Sequence, residues 1–207
     1  MSSVAVNDAP RRSASASKDA IIEAAVDRFS ELGYHGTSIR DIARSADMTP
    51  ASIYHHFPSK QRILQHIMEN VLEDVISRTT AALIDSGRSP SVQLDAIVRT
   101  WVLFHTESRA QALIGASEIR SLDETGRRIV VSLRDRQQQL ILGVIERGVT
   151  EGEFLTPYPL QATMAILNMG SAIATWYRPN GELTASQLAE RYSALALGTV
   201  ETKGRGL

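Results

Sequence analysis

Between Thr37 and Lys60 the chain reads TSIRDIARSADMTPASIYHHFPSK, gathering hydroxyl, imidazole and basic side chains at helical spacing. Such groups can hydrogen-bond to base edges and phosphates. Thr49, Ser52 and His55 suit either target, while Pro50 and Ala51 can touch a thymine methyl. His56 shares the outer side of this segment. Tyr54 through its hydroxyl and Lys60 through its charge suit phosphate oxygens, contacts that fix orientation without reading sequence. Ser38 and Arg40, slightly earlier, are placed for the same backbone, although Arg40 can instead pair with a nearby acid. Adjacent histidines project about 100° apart on a helix, so His55 and His56 cannot chelate one metal as an i, i+4 pair could. His35, His66 and His105 are too scattered to alter this, and no metal site is expected.

These groups need two short helices to hold them. Ser38 with Asp41 three residues later is a capping-box start, and Ile39, Ile42, Ala43 and Ala46 give that helix an apolar inner face. A break falls at Asp47. Thr49 before Pro50 reads as an N-cap followed by proline at the first helical position, opening a second helix to about Phe57. Ile53 and Phe57 turn inward, leaving the polar residues outside. Pro58 stops this helix and Ser59 caps the next. Two helices joined by a tight turn form a helix-turn-helix, whose second helix lies in the DNA major groove.

Phe29 and Gly33 ending an alanine-rich first helix, then Thr37, Ile42-Ala43, Ala46, Tyr54, His56-Phe57 and Lys60, resemble the DNA-binding domain of the TetR (tetracycline repressor) family. The resemblance covers roughly residues 18 to 64. It implies that the base-reading positions are those around Thr49 to His55. One departure is Asp47, where the family usually has glycine; aspartate tolerates the left-handed conformation better than most residues.

The full chain of 207 residues is 43% hydrophobic with a net charge of −1, enough apolar matter for a full core but no bulk electrostatic pull toward DNA. Residues 1 to 62 hold eight Lys and Arg against seven Asp and Glu, so even the reading head is only about +1. Affinity must come from where the cations sit. Cysteine is absent, which excludes disulfides and thiolate metal sites. No signal-peptide core and no long apolar run are present, so a cytoplasmic protein without a membrane partner is expected.

Residues 1 to 17, rich in Ser, Ala and Pro, read as a disordered tail, from which Arg11 and Arg12 can act as a minor-groove arm or remain solvated. Ile21, Ile22, Ala25, Phe29 and Leu32 mark a supporting helix from Lys18, closed by Gly33. Residues 18 to 62 thus form a three-helix DNA-binding domain. Residues 63 to 207 follow as a second domain. It begins with a long helix from Ser59 to about Asp85, and further helices follow over 91–108, 110–120, 129–149, 159–176 and 185–197. No alternating strand is found. The fold class is all-α, with about nine helices.

The resemblance implies that this second domain binds a small molecule in its interior. Trp101, Phe104, His105, Glu118, Met164, Asn168 and Trp176 are the candidates, each also readable as ordinary core, and Asn168 also as a dimer contact. Gly170, Ala174, Leu188, Tyr192 and Leu195 in the last two helices read as a dimerisation surface, or as internal packing. In the family these helices pair as a four-helix bundle. Two-fold symmetry would present two recognition helices to a palindromic double-stranded operator. The ending WYRPNGELT before a Leu- and Ala-rich helix is similar to actinobacterial repressors of lipid and sterol breakdown in the same family, some of which respond to acyl-CoA thioesters. The expectation is a ligand-responsive homodimeric repressor, not an enzyme and without cofactor, with the long helix as lever. A carrier that has lost DNA binding is the alternative; Asp47 and the near-neutral head favour it.

Overall fold

The structure, a computed structural model, describes residues 9–201, with side chains from Ser17 onward. Nine α-helices and one 3-10 turn make up the described chain, with no β-sheet among these residues. In order they are α1 (Ala9–Gly36), α2 (Ile39–Ser45), α3 (Pro50–His56), α4 (Lys60–Asp85), α5 (Pro90–Glu107), α6 (Arg109–Ser117), the 3-10 turn Glu118–Ser121, α7 (Glu124–Glu151), α8 (Pro159–Trp176) and α9 (Ala185–Thr199).

The expected starts are met by their caps. Ser38 and Asp41 form a reciprocal capping box on α2, Thr49 accepts from Ser52 N on α3, Ser59 caps α4, and Thr184 with Gln187 boxes α9. The tail differs from expectation. Helix α1 begins at Ala9 instead of Lys18 because the Ala- and Ser-rich stretch forms helix when it continues an existing one, with Pro10 in the tolerated first turn. The first eight residues of the expected disordered tail, and the side chains of Arg11 and Arg12, lie outside the described residues. Gly33 breaks α1 as expected, at φ 72° and ψ 163°.

The α2–α3 turn depends on one residue. Asp47 sits at φ 53°, in the left-handed region. Its N–H reaches Arg44 O at 3.4 Å and Met48 N–H reaches Ala43 O at 2.8 Å, a Schellman closure that satisfies the last carbonyls of α2. Aspartate fills the glycine position at a steric cost. Replacing Asp47 with glycine should therefore stabilise the protein by about 0.5–1 kcal/mol, raising the melting temperature by about 2 °C in a calorimetric scan.

Two apolar cores divide the molecule. One joins Ile21, Ala25, Phe29, Ile42, Ile53 and Phe57 of the head to Ile63, Leu64, Ile67 and Met68 of α4, and continues into Ile114, Leu122 and Val130. The head is thus packed on α6 as well as on α4, and α4 carries the core on to α7. The boundary expected near residue 62 passes through this continuous core. The second core fills the body with Leu94, Ile97, Val102, Ile141, Ile145, Ile166, Ile173, Leu188 and Ala196. Helix α5 is its axis, packed most extensively on α9.

Candidate nucleic-acid interface and interior cavity

On α3, Thr49, Pro50, Ala51, Tyr54 and His55 are exposed and Ser52 and His56 half-buried, so this face is open to a partner. Buried Ile53 and Phe57 fix the helix from behind. Three hydroxyls are already engaged. Thr49 Oγ1 accepts from Ser52 N at 3.1 Å and shares a hydrogen bond with Ser52 Oγ at 3.0 Å. Ser38 Oγ donates to Asp41 Oδ2 at 2.5 Å. Thr49 and Ser38 therefore set helix starts, whereas Tyr54, half exposed at 53%, and His55, also exposed, carry polar tips with no hydrogen-bond partner among the described residues. Arg40 is exposed and forms no ion pair with the described residues, which leaves its guanidinium available. Arg44, absent from the sequence reading, is 82% exposed at the end of α2 with only a long 3.8 Å approach to Asp41.

Lys60 departs from its expected free position. Its Nζ donates to Tyr34 O at 2.7 Å and Thr37 O at 2.6 Å, and lies 4.3 Å from the Tyr34 ring centroid. Burial lowers its pKa below the usual lysine value, with Glu118 opposing. The ammonium ties the start of α4 to the α1–α2 corner. Two of its three N–H donors are thus taken by backbone carbonyls, which gives Lys60 a structural role beside the phosphate contact expected of it.

The body holds a partly open cavity of about 460 Å³. Helix α4 contributes Met68, Val71, Leu72 and Val75, and α5 contributes Trp101, Phe104 and His105. Small residues Ala112, Gly115 and Ala116 of α6 leave room, and Met164, Leu167, Asn168 and Ser171 of α8 close the far side. Its size lies in the range of small-molecule sites, and its walls are largely apolar. Trp101 is held by Gly170, where an added Cβ would come 2.1 Å from the indole Cδ1. That close approach is why a glycine stands inside α8.

The His105 ring lies against Trp101, with centroids 4.4 Å apart and planes tilted by 56°. Its Nδ1 lies 2.7 Å from Trp101 O, and a carbonyl can only accept, so Nδ1 carries the proton and a neutral ring keeps Nε2 as an acceptor. Burial lowers its pKa from 6.5, partly opposed by that hydrogen bond. The unfolded chain therefore binds a proton near pH 6.5 that the folded chain refuses. Stability should fall as pH drops below about 6.5 and level off below the folded pKa. His66, whose pKa burial also lowers, adds to the effect. In melts between pH 7.5 and 5, a His105→Leu protein should lose less stability than the parent; equal losses would remove His105 as a cause.

Five of the seven expected pocket residues, Trp101, Phe104, His105, Met164 and Asn168, line the cavity. Two do not. Glu118 sits in the 3-10 turn and accepts from Ser121 Oγ at 2.8 Å, outside the cavity. Trp176 is 48% exposed at the end of α8, with its ring 6.4 Å from that of Tyr192. Asn168 occupies an exposed position of α8 at the cavity wall. Arg134, Asp135, Gln137 and Gln138, none of them expected from the sequence, also reach the cavity wall. Their run RDRQQQ looks like a solvated helix face, and only the packing of α7 on α4 reveals the inner members.

The expected dimer residues also divide. Gly170 lies under Trp101, Leu188 is in the body core, and Ala174 is buried, its carbonyl accepting from Arg109 Nε at 2.6 Å. All three pack within their own chain, because their positions on α8 and α9 face α5 and α6. Leu195 is exposed and Tyr192 half-buried, on the outer side.

An exposed second helix on a capped turn, joined by α4 to a body holding an apolar cavity, defines a helix-turn-helix transcription regulator. Residues 21–67 match the family described as "Bacterial regulatory proteins, tetR family", and residues 87–200 match "Tetracyclin repressor-like, C-terminal domain". The chain belongs to the TetR family. It is 26% identical over 201 residues to the HTH-type transcriptional repressor KstR2 of Mycolicibacterium smegmatis, covering 96% of this chain and 97% of that one. A tetR-family regulatory protein from Rhodococcus RHA1 superposes with a TM-score of 0.86 at 30% identity, covering 91% of this chain and 98% of that one. AibR, crystallised with isovaleryl coenzyme A and operator DNA, shares the fold with a TM-score of 0.80 at 24% identity, over 90% of this chain and 99% of that one. Among the described residues no helix is long and apolar enough to cross a membrane.

Proposed function

We propose that the protein is a homodimeric repressor that binds a palindromic operator through α3 and is released when a small, mainly apolar effector fills the cavity. One observation carries this reading: α4 belongs to both halves. Its first turns, from Lys60 to Met68, are bonded and packed into the head, and Met68, Val71, Leu72 and Val75 form a cavity wall. An effector that fits better when α4 is displaced therefore favours heads wrongly spaced for DNA, and lowers operator affinity by that difference. A tenfold release requires only about 1.4 kcal/mol of such coupling.

Acyl-CoA thioesters are the effector class to test first. The apolar walls suit an acyl chain, Arg134 at the rim offers a cation to an anionic remainder, and AibR of the same fold is bound to isovaleryl coenzyme A in its complex. Fluorescence anisotropy with DNA from upstream of the protein's own gene, with and without isovaleryl-CoA and longer acyl-CoA thioesters, tests both parts. No binding to any genomic fragment at low salt would overturn the repressor. Binding that no acyl-CoA weakens would overturn the effector class alone. The carrier alternative loses one support, since Asp47 completes the turn without disrupting it.

A further inference from the structure

His105 of α5 lines the cavity and is only 6% exposed, yet one edge of its ring is unused. The ring is held on two sides, against Trp101 and edge-on to Phe104 with centroids 5.5 Å apart. Its Nδ1 is committed to Trp101 O at 2.7 Å. That contact also fixes which way round the ring lies. Turned over, the ring would bring Cδ2 to the same 2.7 Å from the oxygen, well inside the roughly 3.3 Å of close C–H···O contacts. Nε2, on the opposite edge, has no hydrogen-bond partner among the described residues and is not sealed from the cavity. With the proton fixed on Nδ1, Nε2 presents a lone pair to whatever fills the space.

We infer that His105 is the recognition group of the cavity, accepting through Nε2 a hydrogen bond from a hydroxyl carried on an otherwise apolar ligand. This rests on the effector reading above, which makes the cavity the effector site, and narrows it to hydroxyl-bearing effectors: free alcohols and phenols, or hydroxyacyl thioesters. The wall disfavours other ligands by its chemistry. A carbonyl or ether oxygen at Nε2 would set two acceptors against each other. A hydrocarbon would cover the lone pair without a partner, at a cost of about 1–3 kcal/mol. A carboxylate would require a second proton on the ring, and the desolvation of the resulting ion pair would offset much of its attraction. Two donors of the wall itself, Trp101 Nε1 and Ser171 Oγ, are turned to Leu167 O at 3.4 and 2.9 Å and do not serve His105. The charged wall residues Arg134 and Asp135 are exposed and opposite in sign, so they impose no net charge on the ligand.

The test compares wild type with His105→Phe, which keeps a flat ring and removes the acceptor; His105→Leu takes its place if that variant does not fold. Equilibrium dialysis at pH 7.5 is run with 2-naphthol and with 2-methoxynaphthalene, the same skeleton without the donor. The ratio of the ether's dissociation constant to the naphthol's should be about tenfold larger in wild type than in the variant. Equal ratios in the two proteins, or no binding of 2-naphthol to wild type, would overturn the assignment. Tighter binding of 2-naphthoate than of 2-naphthol to wild type would also overturn it, by making the ring a cation. Operator release is measured in parallel with 3-hydroxydecanoyl-CoA and decanoyl-CoA. Release of wild type at a lower concentration of the hydroxyacyl form supports the inference with a thioester as the source. Release by neither sinks the acyl-CoA reading and leaves the hydroxyl site to the dialysis result.

Discussion

A Leu195→Glu protein should sediment as a monomer at micromolar concentration and bind its operator at least 100-fold more weakly than the parent. The basis is the outer side of α8 and α9, where Leu160, Trp176 and Leu195 are between 45% and 55% exposed in the single chain. Tyr192 lies against Trp176 and extends the same surface. Exposed apolar residues grouped in this way mark an interaction surface more often than a bare one. A two-fold axis puts the same residue on both sides, so one substitution introduces two carboxylates into the interface. Each would be buried without a partner, at a cost of several kcal/mol. The chain itself should fold normally, because half of Leu195 is already in water, and the secondary-structure melt should change little. The loss of DNA binding follows from geometry. A head with a charge of about +1 makes few phosphate contacts, and two heads held one helical turn apart multiply their affinities. A variant that remained dimeric in equilibrium sedimentation would place the interface elsewhere.

Lys60→Met carries the second large effect, and its signature separates two roles for the residue. The two carbonyls that receive the ammonium belong to Tyr34 and Thr37, at the corner between α1 and α2, and Thr37 is buried. Hydrogen bonds from a charged donor contribute about 1.5–3 kcal/mol each, and losing this pair should cost about 2–3 kcal/mol of stability in total. In a protein of this size that corresponds to a melting temperature lower by about 5–10 °C. Operator affinity should fall about tenfold at a temperature where the variant is still folded, because α2 and α3 would no longer be fixed to α4. The dependence of binding on salt should be unchanged. A phosphate contact would instead reduce the slope of log affinity against log salt by about 0.9, so that outcome would establish a direct DNA role.

The sequence alone determined what depends on neighbours along the chain. Ser38 with Asp41, Thr49 with Pro50, Ser59, and Thr184 with Gln187 announced four helix starts, because a cap satisfies N–H groups two or three residues away. Asp47 announced its left-handed turn because that preference belongs to the residue itself. The helical class and the outward face of α3 were legible because periodicity reports which side of a helix is apolar, and the family through the resemblance of the motif between Phe29 and Lys60. What only the tertiary structure decided depends on residues far apart in sequence. Lys60 looked free because its carbonyl partners lie 23 and 26 residues earlier. Gly170, Ala174 and Leu188 shared a composition with Leu195 but face inward, and small residues suit an interface within a chain as well as one between chains. Trp176 and Trp101 are both aromatic residues at helical positions, yet one is on the surface and the other lines the cavity. Gln137 was hidden in a polar run, and its burial against Thr79, 58 residues away, arises from the packing of α7 on α4. Caps and periodicity act over a turn of helix, whereas a cavity is made by helices meeting, and which helices meet is set by the summed burial of the whole chain.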